Sequence, residues 1–329
     1  MNPEALRLGS RKSPMAVSQS GDVARLITER TGRPVEIVGV TTLGDVSSEH
    51  LTQIGGTGVF VSALRESLLR GDVDFAVHSL KDLPTGDAPG ITLAAIPARD
   101  DPRDALVARY GAKLADLPSG ARIGTGSPRR AAQLTLLRSD ITCVPIRGNA
   151  NTRLAKVRDG ELDGVVLAYA GLARIGQTDR VTEIFEPDDM VPAPGQGALA
   201  VECRTGHREL LELLAVIDHP ATRAAVTAER CLLSALEAGC SAPVGGYAVG
   251  DQAGRLRLEG VVLGAGAAGF SPGALDSRAA GGRMVIRERG EADAPDAARL
   301  GRELAARMLA LGAAGLMRAD ETDGNDGHD

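Results

Sequence analysis

Two stretches of this chain share one device: "LRLGSRKSPMA" at residues 6 to 16 and "ARIGTGSPRRA" at 121 to 131. Each reads as an apolar strand, a Gly-rich turn, and a Ser-Pro pair suited to the cap and first turn of a helix. A second echo follows in the same order: "GDVDFAVHS" at 71 to 79 resembles "GELDGVVLA" at 160 to 168, each a helix end, a turn and a buried strand. Recurrence in a shared order predicts two similar α/β lobes rather than one large sheet.

The segments between these echoes carry the same alternation to about residue 200. "ALRLGS" reads as a strand, Pro14 to about Arg30 as a helix, "VEIVGVTT" as a strand, "GVFVSALRESLLRG" as a helix stopped by Gly71, and "VDFAVHS" as a strand. "PAPGQG" at 192 to 197 punctuates the chain, and "ALAVEC" after it is placed to return to the first lobe, making a two-stranded hinge. Asp218 to Ala238 is helical, "LRLEGVVLG" and "RMVIRERG" alternate like strands, 264 to 282 reads as a loop and 295 to 317 as a helix. The expected division is 1–98 with 196–216 as a first α/β lobe, 99–195 as a second, and 217–317 as a smaller C-terminal α+β domain. The polar tail 318–329 is expected to be disordered.

Composition excludes several classes of function. The net charge of -6 and the 2% of aromatic residues argue against a protein that coats nucleic acid. No run of about 18 apolar residues is present, and the start of the chain has no basic and apolar leader pattern, so membrane spanning and secretion are not expected. Cys143, Cys203, Cys231 and Cys240 are spaced like neither a zinc site nor a disulfide frame. A reduced, cytoplasmic setting without a metal is the expectation.

Between Arg122 and Arg174 nine basic residues face four acids, a local excess of about +5 in an acidic chain. Arg129 and Arg130 follow the turn that holds Thr125 and Ser127, and Arg147 precedes "GNANTR" with Arg153. Backbone N–H groups at helix starts favour anions, and guanidinium forks add bidentate recognition of carboxylates. Arg11 and Ser13 repeat the device in the first lobe, so two anion sites could face each other across a cleft. The strand "FAVHS" ends in Ser79, Lys81 and Asp82, at the carboxyl end where open α/β sheets bind ligands. His78 stands alone and reads as a packed side chain, and "IGGTGVFVS" lacks the Lys-Ser/Thr of a P-loop. Cys240 lies in "LEAGCSAPVGGY", a Gly/Pro-rich turn, where position alone leaves both a buried and a projecting thiol open.

Eight motifs in order, "LGSRKSPMA", "GVFVSALRESLL", "FAVHSLKDLP", "IGTGSPRR", "RGNANTRL", "AYAGLARIG", "PAPGQGALAVECR" and "GCSAPVGGYA", strongly resemble the hydroxymethylbilane synthase (porphobilinogen deaminase) family across nearly the whole chain. The resemblance implies two lobes like those of periplasmic binding proteins plus a third domain, and a dipyrromethane cofactor held covalently by a thioether at Cys240. Four porphobilinogen units are then joined to that primer with loss of ammonia, and water releases the linear tetrapyrrole. By position it makes Asp82 catalytic. It assigns Ser79, Lys81, Asp82, Thr125, Ser127, Arg129, Arg130 and Arg147 to the cofactor, and Arg11, Ser13, Arg147, Arg153, Arg174 and Gln196 to substrate. It also implies a monomer, with hand-over of product to uroporphyrinogen-III synthase as a further expectation.

One departure is the loop at 54–62, where Thr57 and Ser62 stand in place of lysines common in the family. Two other readings compete. A non-enzymatic two-lobed anion receptor would need the arginines and not Asp82 or Cys240. A cysteine hydrolase would use Cys240 as nucleophile, but no histidine is close in sequence.

Overall fold

The computed structural model describes residues 5–40, 58–238, 242–264 and 285–318. Thirteen strands are found among them: β1 Leu6–Ser10, β2 Val35–Gly39, β3 Phe75–Ser79, β4 Ile91–Ala95, β5 Asp104–Ala108, β6 Arg122–Thr125, β7 Thr142–Pro145, β8 Gly164–Ala168, β9 Glu183–Ile184, β10 Leu199–Arg204, β11 Val244–Gly250, β12 Arg255–Leu263 and β13 Val285–Asp293. They form three sheets, ordered β2-β1-β3-β10-β4, β7-β6-β8-β5-β9 and β11-β12-β13. The chain divides into two compact units, 1–101 with 196–223 and 102–195 with 224–329.

Both five-stranded sheets follow one plan. Three parallel strands, β2-β1-β3 or β7-β6-β8, are extended by an antiparallel strand, β10 or β5, that also pairs antiparallel with the edge strand. The echoing sequences occupy equivalent places, since β1 matches β6 and β3 matches β8. The fold class is therefore α/β with two similar lobes and a smaller three-stranded domain. "ALAVEC" enters the first sheet as β10, with Leu199 opposite Ser79 and Ala200 opposite His78.

Local chemistry sets the helix starts as anticipated. Ser13 caps helix Pro14–Thr31, its hydroxyl accepting from the Ala16 N–H at 3.3 Å, with Pro14 in the first turn. Ser127 caps helix Pro128–Leu137 by accepting from the Arg130 N–H at 3.4 Å. Gly71, with φ 80°, ends helix Gly58–Arg70. β3 is buried through Phe75, Ala76 and Val77, which explains its unbroken apolar run. In the C-terminal domain the helices Pro220–Ala235 and Ala297–Ala310 pack Leu232, Leu304 and Met308 against Leu258 and Val262 of β12.

Three readings need correction. In "VEIVGVTT" the strand Val35–Gly39 stops before Val40, and Thr41 and Thr42 lie outside the described residues. The helix expected over 295–317 is two, Ala297–Ala310 and Ala313–Arg318, because Gly312 adopts φ 99° between them. The glycines of "SAPVGG" belong to β11 rather than to a turn. A Cβ on Gly245 would lie 2.7 Å from Val261 Cγ1 and 3.0 Å from Val191, so glycine is required there for close packing. The loop at 265–282 and the tail from 319 lie outside the described residues, and no described helix is long and apolar enough to cross a membrane.

Candidate active site

In the first lobe the functional turn hangs from a buried strand. β3 delivers Ser79, the buried Leu80 anchors a single 3-10 turn over Leu80–Asp82, and Lys81 and Asp82 emerge half-buried. The Leu80 N–H donates to Ala198 O at 3.0 Å, fastening this turn to the segment before β10. Gln19 Nε2 donates to Ser79 Oγ at 2.8 Å, and Lys81 Nζ donates to Gln196 Oε1 at 3.3 Å. Gln196 is fully buried, and its carbonyl accepts from Arg99 Nε at 2.7 Å. Lys81 is thus oriented by Gln196, and Ser79 by Gln19. Arg11 is half-buried just past β1, while Ser13 serves as the helix cap.

Beneath that turn lies an acid that sequence reasoning missed. Glu202 of β10 accepts from Arg65 Nε at 3.0 Å and Nη2 at 2.7 Å, and its Oε2 is 3.2 Å from His78 Nε2. Burial raises the Glu202 carboxyl pKa, but hydrogen bonds and charge from His78 and Arg65 more than offset it and hold it at about 2. Because this folded-state value is below the ordinary glutamate range, its stabilisation is full above that range and is lost as pH falls toward 2. The shift corresponds to the order of 3 kcal/mol. Glu202→Gln is therefore expected to be less stable than wild type at pH 7 and to show a shallower loss of stability between pH 5 and 3, read by urea unfolding at each pH. Parallel pH profiles for the two proteins would refute this linkage.

The second lobe gathers its cations at the carboxyl ends of parallel strands, where Thr125 pairs with Pro145. Thr125 is buried and its hydroxyl accepts from the Ser127 N–H at 3.2 Å. Arg129 and Arg130 are buried on one carboxylate. Asp104, with no exposed surface, accepts from Arg129 Nη2 at 2.7 Å and from Arg130 Nε at 2.9 Å. Arg129 Nη1 donates to Val191 O at 2.6 Å and Arg130 Nη1 to Val166 O at 3.2 Å. Burial pulls the Arg129 pKa down, with Asp104 opposing. Asp104 also escaped the sequence reading; its signal was a lone acid at the head of the apolar run "DALVA".

Next to this pair, Arg153 donates from Nε to Gly148 O at 2.9 Å. Its pKa is lowered by burial and then by the like charge of Arg130. Arg147 is exposed and Arg174 half-buried on the helix Tyr169–Arg174 after β8. The remaining cations of the basic window are used elsewhere: Arg122 donates to Glu161 O, Lys156 to the Glu161 carboxylate, Arg138 to Asp140 and Arg158 to Asp159. Four cations of the basic window are thus committed to local partners, and Arg129 and Arg130 are neutralised in part by Asp104.

A third missed acid, Glu229, organises the approach to the C-terminal domain. It has no exposed surface and accepts from the Gly195 N–H at 2.6 Å and the Ala248 N–H at 2.8 Å. It thereby ties "PAPG" to β11, the strand that starts four residues after Cys240. Cys240 itself and Thr57 lie outside the described residues, and Ser62 is exposed on its helix. Of the described cysteines, Cys203 is buried, which pushes its thiol up to about 11, and burial also raises Cys143.

Comparison with known proteins agrees with these features. A family model described as "Porphobilinogen deaminase, dipyromethane cofactor binding domain" matches residues 6–212, and "Porphobilinogen deaminase, C-terminal domain" matches 223–268. The chain is 55% identical to "Porphobilinogen deaminase 1" of Streptomyces coelicolor, over 96% of this chain and 98% of that one. It is 62% identical to the "Porphobilinogen deaminase" of Thermobifida fusca, over 80% of this chain and 82% of that one, and 51% identical to that of Nocardia farcinica, over 95% and 88%. A solved arginine-specific periplasmic binding protein of Salmonella typhimurium covers 65% of this chain and 91% of its own, at 16% identity and a TM-score of 0.34, too loosely to bear on the site. With both domain models matched over most of the sequence, the chain belongs to the porphobilinogen deaminase family.

Proposed function

We infer that the chain is a hydroxymethylbilane synthase, a transferase of tetrapyrrole and heme biosynthesis that joins four porphobilinogen molecules, with loss of ammonia, on a dipyrromethane primer. The observation that carries this reading is the pairing of two chemistries at strand ends: a half-buried carboxylate, Asp82, beside Lys81, and guanidiniums in excess of the carboxylates around them. A receptor that only bound anions would have no use for Asp82.

The donor set fits a polycarboxylate cofactor. Arg153 is pressed by burial and by Arg130, with only a carbonyl described as its hydrogen-bond partner, and a Cβ on Gly126 would sit 2.7 Å from Ile146 O and 3.9 Å from Arg153 Nη2. Glycine is required there by the close approach of the Ile146 carbonyl, which places a bare turn within van der Waals reach of the Arg153 guanidinium. When bound, the dipyrromethane supplies the pyrrole carbon at which substrate units are added. Ser79, Lys81, Asp82, Thr125, Ser127, Arg129, Arg130 and Arg147 would hold it, and Arg11, Ser13, Arg147, Arg153, Arg174 and Gln196 would receive porphobilinogen.

Within that division the residues act in distinct ways. Guanidinium forks orient acetate and propionate groups, each charge-assisted hydrogen bond contributing roughly 1.5–3 kcal/mol where water is excluded. The Asp82 carboxylate offsets positive charge on a pyrrole nitrogen as ammonia departs and can take the proton lost at the reacting carbon. Gln196 holds Lys81, and Gln19 holds Ser79, so the polar ends of this turn are oriented before substrate arrives.

Cys240 is proposed as the thioether anchor, in a C-terminal domain spanning 217–317 beside lobes at 1–98 with 196–216 and at 99–195. The raised pKa values of Cys203 and Cys143 weigh against those two thiols as the anchor, since thiolate is the reactive form. A cytoplasmic monomer that hands its product to uroporphyrinogen-III synthase completes the proposal. The test is the intact mass of purified protein: wild type should carry the added mass of two linked pyrroles, and Cys240→Ser should not. A native chain that is unmodified yet active would overturn the assignment.

A further inference from the structure

The far end of the second sheet carries a feature that the synthase reaction does not use. β5 begins at Asp104, on the arginine pair, and runs antiparallel to β8, so Arg109 and Tyr110, in the turn after Ala108, stand past the opposite end of the strand. Tyr110 has φ 58° and ψ 20°, in the left-handed region that bulky residues avoid, and its side chain is 90% exposed. Neither local conformation nor packing accounts for it: glycine would adopt that backbone freely, and the ring buries little. The chain holds three tyrosines, four phenylalanines and no tryptophan, so leaving one ring in water is a distinct use of a scarce residue type.

The ring is also held in place. Arg109 Cζ lies 4.9 Å from the Tyr110 centroid, and its Nη2 donates to Tyr110 Oη at 2.7 Å. Both residues line an open groove of about 620 Å³ with Arg158, Asp179, Arg180 and the apolar Val181. Arg158 is paired with Asp159 at 2.7 Å, and Arg109 and Arg180 line the groove with one carboxylate, Asp179. A fixed aromatic face beside guanidiniums suits a flat ring that carries acidic groups.

We propose that this groove is a second ligand site, separate from the synthase machinery, and that it binds a planar aromatic anion whose ring stacks on Tyr110 and whose acidic groups meet Arg109 and Arg180. Two sources share that chemistry, a nucleoside phosphate and an aromatic polycarboxylate.

Isothermal titration calorimetry on the holoenzyme tests it with ATP, benzene-1,3,5-tricarboxylate and tripolyphosphate, the last lacking a ring. ATP or the tricarboxylate should bind saturably, the tighter of the two naming the source, and at least tenfold more tightly than to Tyr110→Gly or Arg180→Gln. Tyr110→Gly should keep wild-type turnover and a Tm equal to or above wild type, because glycine relieves the left-handed backbone. The proposal falls if neither aromatic anion binds, or if Tyr110→Gly binds them as wild type does. It falls equally if tripolyphosphate matches ATP, which marks a mere cationic patch, or if Tyr110→Gly lowers Tm, which marks a structural ring.

Discussion

Asp104→Asn is expected to destabilise the second lobe by about 3–5 kcal/mol, the usual cost of removing one partner from a buried ion pair. The carboxylate has no exposed surface and is the only acid paired with either Arg129 or Arg130 among the described residues. An amide in its place offers one acceptor oxygen and turns an N–H₂ group toward donors, removing the charge that both guanidiniums share while their bonds to the Val191 and Val166 carbonyls remain. Against a total stability of about 5–15 kcal/mol this is a large fraction, so urea unfolding should show an early transition. A triple variant separates structure from binding. Replacing a buried ionic cluster by apolar residues of similar volume is often neutral, so Asp104→Leu with Arg129→Met and Arg130→Met should recover much of the stability. It should not recover turnover. If the triple variant is active, Arg129 and Arg130 serve the fold only, and their assignment to the cofactor fails.

That experiment bears on why the sequence was legible in one respect and opaque in another. Helix starts at Ser13 and Ser127, and the buried strands "FAVHS" and "GVVLA", could be read directly because capping and apolar runs are local signals. Short strands such as Thr142–Pro145 and Glu183–Ile184 were not, since their pairing comes from distant neighbours rather than from their own pattern. The same limit governed the site. Lys81 and Asp82 stood out at the end of an apolar run, but Asp104, Glu202 and Glu229 act on residues 25, 137 and 34 positions away in the chain. A count of arginines between 122 and 174 could not tell that Arg138 and Arg158 bind local aspartates while Arg153 donates to a backbone carbonyl. In "SAPVGG" the glycines read as a turn because composition does not distinguish backbone freedom from room for Val191 and Val261.

Asp82→Asn should lower kcat by at least about 10²-fold, within the range for losing an acid–base group or a charge that stabilises a transition state. The substitution keeps size and hydrogen-bonding capacity, so the turn Leu80–Asp82, fixed by buried Leu80 and its bond to Ala198 O, should persist. Two readouts distinguish loss of chemistry from loss of binding. KM for porphobilinogen should change little, because its acetate and propionate are assigned to arginines and not to Asp82. The dipyrromethane mass on Cys240 should also remain, because the proposed thioether and seven of the eight residues assigned to the cofactor are untouched. Asp82→Glu, which restores the charge but moves it by about one bond length, should fall between the two. Near-normal turnover in Asp82→Asn would instead shift the burden of charge compensation to another acid. None of the buried carboxylates described could take it up, because Asp104 is held by two arginines, Glu202 by Arg65 and His78, Glu229 by two backbone N–H groups, and Glu259 by Arg287 and Arg289. A fully active Asp82→Asn enzyme would therefore remove Asp82 from the mechanism and leave no buried carboxylate described to replace it.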